Sequence, residues 1–584
     1  MTHTAEPKTK TRKPKTATEP ESVTVRYDLH ELPTAFHKAG LAGLILQIRH
    51  MDQPQKNLPA ESIPEIAELT STTAAVRFTA TSAQALFDDL YDATVEEARV
   101  KTKWPGEPPK REETDEAGKV RRAKLFVYDV VVPRGWYLLQ HRMQRNDDPW
   151  LKLYRSMIWG IPRSNPQTRK PFNERSQRRP CSLGSEVWRA LLRAEEARRS
   201  NGFHLEPLSG ALLIGAQDRG AEATDFAGRA EHNLLLHFWP LTTLIYVPQR
   251  IDHDGKTEPV GYTLAVPEVA DLPAFCEVHP EMLAALRPEV RGFLPAKAAI
   301  DIPAQGALAF MESLAGVAER MARTSAKRNL DGVEAVEYLH VAKLGNNVKT
   351  FGTGRVAPDP DLVRNYVAII GSDKPVWGNP IFRSGLLLAL LEGKPWYEPM
   401  AAPLAERPWE FFCEREDDPK SQRKWLARLF AADAWRKFQD LHKEHHLMNT
   451  DAPPGDRQTR PLDLIIHDVA KQYVLHRAES RDPNLPKTDG GATDWRNPKA
   501  QKAKADAARD AFLQLRSRRG SAFVEHFTAL FGQFGQYLPA PEEFLVLTAA
   551  LHSDPDRVKT VTLLALSANG YVSGKKTVTE EASQ

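Results

Sequence analysis

With 584 residues, the chain is longer than a single hydrophobic core usually supports, so two or three domains are expected. Its 41% hydrophobic and 27% charged residues are ordinary for a soluble globular protein and exclude wholesale disorder. The 79 basic and 76 acidic residues give a net charge of +3, so any surface for nucleic acid must come from local segregation of charge.

The three cysteines are isolated along the chain and form no CxxC pair. This spacing argues against a disulfide scaffold, a zinc ribbon and an iron–sulfur cluster, and it favours a reducing cytoplasm. Residues 1–22 carry five cations and no apolar segment, which predicts a disordered basic tail and neither a secretory signal nor an anchor. No run approaches 18 apolar residues, so no membrane contact is expected.

The first predicted helix lies in the segment 32–51, where Leu41, Leu44, Ile45 and Ile48 share one face. The charged, proline-rich residues 101–122 then predict a surface loop before a strand. The next predicted elements are a strand over 124–132, a helix from about Ser185, strands over 241–248 and 261–269, and a helix over about 305–328.

Apolar and polar residues alternate on both sides of Gly345-Asn346-Asn347, which predicts a β-hairpin with a tight turn. From about residue 400 the pattern is almost entirely helical, with helices predicted over 423–447, 462–478, 498–518, 521–536, 541–552 and 555–568. The predicted fold class is therefore α+β. It combines a mixed α/β N-terminal domain over 23–395 with a C-terminal helical bundle over 396–584.

The segment "GIPRSNPQTRKPFNERSQRRPC", residues 160–181, carries six cations against one carboxylate and is interrupted by four prolines. We expect an irregular loop whose guanidinium groups bind backbone phosphates, because the planar fork of arginine donates two hydrogen bonds at once. The alternative is a solvated loop that only aids solubility. The candidate phosphate-binding residues are Arg163, Arg169, Lys170, Arg175, Arg178 and Arg179.

Two further cationic segments are candidates for nucleic-acid binding. The polar hairpin tip is expected to enter a groove, with amides on base edges and ammonium groups on the backbone, although Asn346 and Asn347 also suit a simple turn. The helix over 498–519 either follows a single strand or presents a solvated face. The candidates are Lys343, Asn346, Asn347, Lys349 and Arg355 in the hairpin, and Lys499, Lys502, Arg516, Arg518 and Arg519 in the helix.

Motifs for catalysis are mostly missing from the sequence. It has no phosphate-cradling loop with its lysine, no G-x-S-x-G elbow and no H-E-x-x-H pair. His467-Asp468, with the upstream "HKEHH" at 442–446, resembles the HD-type metal phosphohydrolase signature, which activates water on divalent ions. The alternative is that His467-Asp468 is an exposed, locally hydrogen-bonded pair and that His442, His445 and His446 lie on a solvated face. Because the distal aspartate has no recognisable context, we favour this alternative and expect no catalysis, no cofactor and no metal ligand.

Several segments together resemble a known family. They are "LPTAFHKAGLAGLILQI", "ALLIGAQDRG" followed by "NLLLHFWPL", "GYTLAVPEVADL" and "VEYLHVAKLGNNVKTFGTGRV". In matching order over about residues 30–390, they resemble the large subunit of type I CRISPR effector complexes (Cascade), specifically its Myxococcus-type branch. The resemblance implies a non-catalytic subunit of an antiviral ribonucleoprotein, in which guide pairing supplies most of the sequence specificity.

The resemblance also implies a set of partners. The nucleic-acid partners are the crRNA with its 5′ handle and double-stranded target DNA with its flanking PAM duplex and displaced strand. The protein partners are the backbone and handle-binding subunits, a small subunit, and a recruited nuclease-helicase or transposition factor. The C-terminal bundle resembles that small subunit. Two other functions stay open: an HD-like metal-dependent phosphohydrolase using His467 and Asp468, and an assembly scaffold whose basic patches contact acidic proteins.

Overall fold

The computed structural model describes residues 21–103, 108–114, 124–134, 166–208, 227–286, 299–322, 330–344, 347–371, 378–414, 422–450 and 460–571. The chain forms two compact units. One comprises Met1–Ile245, Leu264–Ala298 and Ser313–Ala357, and the other comprises Tyr246–Thr263, Ala299–Glu312 and Pro358–Gln584. These units divide the chain differently from the expected boundary at 395/396, because the residues from Pro358 onward group with the C-terminal helices.

The first unit begins with an antiparallel sheet in the order β1-β3-β2, formed by β1 (Val23–Asp28), β2 (Glu65–Leu69) and β3 (Thr73–Phe78). Helix α1 (Ala35–Met51) confirms the first predicted helix and is buried around nearly its whole circumference. Glycines 40 and 43 allow this burial, since a Cβ atom at either would lie 2.2 Å from the carbonyl oxygen of Leu235 or Phe238. Helix α2 (Ala80–Leu90) is closed by a capping box of Thr79 and Ser82.

A second sheet has the order β4-β6-β5, with β4 (Ala93–Val100), β5 (Arg111–Thr114) and β6 (Lys124–Pro133), and it confirms the predicted strand. The expectation of an irregular segment is wrong for residues 166–176, because α3 (Pro166–Ser176) is helical with Pro171 inside it, whereas residues 160–165 lie outside the described residues. Proline costs an interior helix roughly 3 kcal/mol. Here the cost is offset by burial of Phe172, whose ring meets Tyr91 edge-on at 4.9 Å between centroids.

The rest of the first unit follows in chain order. Helix α4 (Ser182–Arg199) starts three residues before its predicted start, and β7 (Leu205–Pro207) pairs with β8 (Ala227–Arg229) before α5 (Ala230–Leu235). After α6 (Leu272–Ala285), strands β13 (Val333–Leu344) and β14 (Asn347–Val356) form the predicted antiparallel hairpin, confirmed by the pairing of Leu344 with Asn347.

Several elements lie wholly or partly in the second unit. They are β9 (Leu244–Ile251), β10 (Thr257–Pro259), β11 (Tyr262–Val269), β12 (Ala299–Ile300) and α7 (Gln305–Ala322). Strand β10 pairs antiparallel and β12 pairs parallel with β9. Strands β9 and β11 and helix α7 confirm the predicted elements over 241–248, 261–269 and 305–328.

The helical part of the second unit confirms the helices predicted after residue 400. It contains α8 (Pro360–Ile370), α9 (Pro380–Glu392), α10 (Ala401–Glu406), α11 (Gln422–Thr450), α12 (Leu462–Arg481), α13 (Pro498–Arg516), α14 (Gly520–Phe531), α15 (Pro541–Ser553) and α16 (Pro555–Asn569). Helix α16 is buried from Thr560 to Asn569 and packs against α11, α12 and α13. The α+β class is therefore confirmed. None of the helices described is both long and apolar enough to cross a membrane.

Candidate nucleic-acid interface

The C-terminus of α3 presents two of the candidate arginines to solvent. The backbone N–H of Arg178 donates to the carbonyl of Arg175 at 2.8 Å, and that of Arg179 donates to the carbonyl of Glu174 at 2.9 Å. This pair of bonds is the Schellman helix ending. It places Arg178 at φ 59°, a left-handed conformation that glycine normally supplies. Both arginine side chains are exposed.

The other candidates in this segment differ in their surroundings. Arg175 is half-buried, with Nε donating to the carbonyl of Asp88 at 3.2 Å and Nη1 donating to the carbonyl of Arg179 at 2.9 Å. It also lies 3.6 Å from the Asp88 carboxylate and 3.8 Å from that of Asp92. Lys170 is exposed at 3.8 Å from both Glu174 and Glu186. Arg163 and the side chain of Arg169 lie outside the described residues.

At the hairpin, Lys349 is exposed opposite Ala342 and makes no ion pair among the residues that the structure describes. Arg355 instead belongs to a charged cluster, because its Nε binds Glu268 at 2.7 Å and its Nη2 binds Glu334 at 2.9 Å. Lys38 binds the other oxygen of Glu268 at 2.8 Å. Burial acts to raise the pKa of Glu268, but Lys38 and Arg355 outweigh it and lower the pKa. Asn346 and the side chains of Lys343 and Asn347 lie outside the described residues.

The same hairpin carries an exposed aromatic residue that the sequence did not single out. His340 pairs with Gly352 and Val341 pairs with Thr350, so Phe351 is the extra residue of a β-bulge. Its side chain is 55% exposed, and its ring lies 5.6 Å from that of His340. The alternation of "KTFGTGRV" does not encode a bulge, so this residue could not be identified from the sequence.

The candidates of α13 separate into anchored and exposed cations. Arg516 donates to the carbonyl oxygens of Leu404 at 2.7 Å, Ala405 at 3.0 Å and also Arg407. Lys499 is exposed and paired with Asp482 at 2.8 Å. Lys502, Arg518 and Arg519 are exposed, and Nε of Arg518 donates to the carbonyl of Gln514, four residues before it.

The histidines and aspartate of the HD-like pattern come together in the second unit. His442 on α11 and His467 and Asp468 on α12 place one potential ligand atom each within 4.8 Å of one another. Arg460 binds Asp468 and, through Nε and Nη2, both carboxylate oxygens of buried Glu543 at 2.7 Å. Burial acts to raise the pKa of Asp468, but His467 and Arg460 outweigh it and lower the pKa to about 2. Burial lowers the pKa of His442.

All three cysteines are buried free thiols. Burial raises the pKa of Cys181, Cys276 and Cys413 to about 12 in each case. These thiols therefore stay protonated at neutral pH, a state that is neither nucleophilic nor ready to bind a metal.

Two family models match the chain. The model described as the type I-B CRISPR Cas8b N-terminal domain matches residues 63–324, and that of the type I-B CRISPR Cas8b C-terminal domain matches residues 333–569. Because the two models together span most of the sequence, the chain belongs to the Cas8b family of type I-B CRISPR large subunits.

The matched models support the predicted Cascade large subunit, but they do not support its assignment to the Myxococcus-type branch. A search of curated proteins found no match. Membership of this family implies other Cascade subunits as partners.

Proposed function

We propose that the protein is the non-catalytic large subunit of a type I-B surveillance complex, in which it binds the crRNA 5′ handle, recognises the PAM duplex and stabilises the displaced strand. The observation that carries the proposal is the match of both Cas8b domain models, in order, along one chain. In RNA-guided complexes of this kind the protein contacts strand backbones and a short flanking duplex, while guide pairing reads the target.

Three exposed cationic surfaces support these contacts. We assign Arg178 and Arg179 to the guide backbone, Lys349 to the flanking duplex and Phe351, beside it, to an unpaired base next to that duplex. We assign the exposed cations just after α13, Arg518 and Arg519, to the displaced strand. Arginines bind phosphate through a bidentate fork, and an exposed aromatic ring offers a surface on which an unpaired base can stack. Arg175, Arg355 and Arg516 are expected to hold the structure, since their guanidinium groups already bind carbonyl or carboxylate oxygens.

The geometry around His467 disfavours the phosphohydrolase alternative. Hydrolysis needs a metal ion that is open to the phosphoester and to an attacking water. His467 is only 4% exposed, so an ion bound to its ring would be shielded from a phosphoester on that side. We therefore assign target cleavage or transposition to a recruited nuclease-helicase or transposition factor. We also propose that the protein acts in the cytoplasm.

The test is co-expression of the chain with its neighbouring gene products, followed by purification and sequencing of bound RNA. We expect a complex whose 260/280 nm absorbance ratio falls after ribonuclease treatment and whose RNA reads begin with a common 5′ handle. A complex that forms and survives high salt without nucleic acid would instead support the scaffold function. Manganese-stimulated phosphoester hydrolysis that is lost in Asp468→Ala would support the phosphohydrolase.

A further inference from the structure

The cluster on α11 and α12 has the geometry of a metal site. Nε2 of His442 lies 3.8 Å from Oδ1 of Asp468, and Nδ1 of His467 lies 3.5 Å from the same oxygen. In a tetrahedral zinc site with bonds of about 2.1 Å, neighbouring ligand atoms are about 3.4 Å apart. The two printed separations exceed this value by no more than about 0.4 Å, and all three ligand atoms lie within 4.8 Å of one another.

His467 gives an independent indication of a missing ligand. Its side chain is 4% exposed and its ring stacks on Phe438 at 4.5 Å between centroids. Within the described part of the chain, neither of its ring nitrogens makes a hydrogen bond. Its Nδ1 is near the Asp468 carboxylate but does not reach hydrogen-bonding geometry, whereas buried imidazole nitrogens are normally bonded to a protein group, a water or an ion.

The contacts of Arg460 leave part of the Asp468 carboxylate available to a cation. Arg460 binds both carboxylate oxygens of Glu543 and one oxygen of Asp468. Arg460 contacts Oδ2 of Asp468, so Oδ1 remains directed toward the two histidines.

We propose that His442, His467 and Asp468 bind one divalent transition-metal ion, with Zn²⁺ as the best match, which joins α11 to α12. Two imidazoles and one carboxylate are a common ligand set for this ion, and a water completes the tetrahedron. The role is structural, because the proposed ion links two packed helices and one of its ligands, His467, is buried. Arg460 acts as a positioning residue that orients Asp468 through its second oxygen.

The experiment uses the full-length chain, stripped with a chelator and titrated with Zn²⁺ against a chromophoric competitor. We expect one tightly bound ion per chain. His442→Ala and Asp468→Asn are each expected to weaken binding by roughly 100-fold or more. His442 is half-exposed, so its replacement is compatible with folding, which circular dichroism will check. His552→Ala, at an exposed position on α15, is the matched control and should bind as the wild type does.

Replacement of Zn²⁺ by Co²⁺ provides a readout that does not depend on affinity. A tetrahedral site with these ligands gives intense visible absorption bands, which should disappear in folded His442→Ala and persist in His552→Ala. Absence of stoichiometric Zn²⁺ binding by the wild-type chain would overturn the proposal. Equal binding by the wild type and both ligand variants would overturn it as well. Neither result depends on whether the protein binds nucleic acid.

Discussion

At the Schellman ending of α3, one double variant, Arg178→Gly combined with Arg179→Ala, should reduce nucleic-acid binding without reducing the stability of the fold. Arg178 adopts φ 59°, where an L-residue costs about 1 kcal/mol or more relative to glycine. Allowing for the greater flexibility of glycine in the unfolded chain, we expect this variant to be as stable as the wild type or more stable by up to about 1 kcal/mol. It nevertheless removes two exposed guanidinium groups.

The loss of two phosphate contacts has a defined signature in the salt dependence of binding. Each contact contributes about 0.9 to the slope of log K against log salt for duplex DNA and about 0.7 for a single strand. The slope should therefore flatten by about 1.8 or about 1.4, respectively. Over a fourfold increase in salt, the wild type should lose roughly 7- to 12-fold more affinity than the variant does.

Fluorescence anisotropy with labelled handle RNA over a series of salt concentrations measures the slope, and urea denaturation measures the free energy of unfolding. Arg175→Ala is the matched comparison. Its side chain binds the carbonyl of Asp88 and lies near two carboxylates, so its loss should reduce stability and leave the slope unchanged. A double variant that keeps the wild-type slope would refute the assignment of Arg178 and Arg179 to phosphate contacts. An equal flattening by Arg175→Ala would show that our distinction between anchored and exposed arginines is wrong.

Two further predictions address the other surfaces. Phe351→Ala should weaken binding of a DNA with unpaired bases by about 1–3 kcal/mol, measured by anisotropy, because a stacking surface is lost. Phe203→Ala, at another exposed phenylalanine, should have no such effect. Arg516→Ala should lower the free energy of unfolding, measured in urea, by about 2–4 kcal/mol, because the substitution leaves the carbonyls of Leu404 and Ala405 without their donor. Arg518→Ala, at an exposed position, should change the free energy of unfolding by less than about 0.5 kcal/mol. Similar losses of stability in the two arginine variants would contradict this reasoning.

The sequence predicted those elements that a local pattern encodes. The 3.6-residue period identified α1 and the helices from α11 onward, and the period of two around Gly345 identified the hairpin but not its bulge at Phe351. The helix α3 was missed, because four prolines argued locally against it. What stabilises it is a contact between Phe172 and Tyr91, which are distant in sequence.

The sequence predicted which cations belong to the candidate site, but it could not predict which of them bind other groups of the protein. A count of charges along the chain cannot show that Arg516 donates to three carbonyls or that Arg355 lies between Glu268 and Glu334, since these partners are 21 to 112 residues away. The same limit applies to His442 and His467, which meet only because α11 packs on α12. Long-range packing therefore decides which cations remain available to a ligand.

The network around Arg460 makes a prediction about acid stability. The pKa of Asp468 falls from its ordinary value of 3.8 to about 2 because His467 and Arg460 outweigh the effect of burial. A carboxyl group with a lowered pKa stabilises the fold above its unfolded-state pKa, and this contribution is lost as the pH falls from about 4 toward 2. This lowering of the pKa corresponds to a contribution of about 2 kcal/mol to the free energy of unfolding, of which about 1 kcal/mol should be lost by about pH 3.

Urea denaturation of the wild type and of Asp468→Asn at about pH 6 and about pH 3 measures this contribution as a difference. The gap in unfolding free energy between the two proteins should shrink by about 1 kcal/mol on acidification, because the variant has no carboxylate to protonate. For Asp440→Asn, at an exposed position on α11, the difference in unfolding free energy from the wild type should be the same at both pH values. A gap for Asp468→Asn that stays constant or widens on acidification would mean that Asp468 is not held ionised by its neighbours.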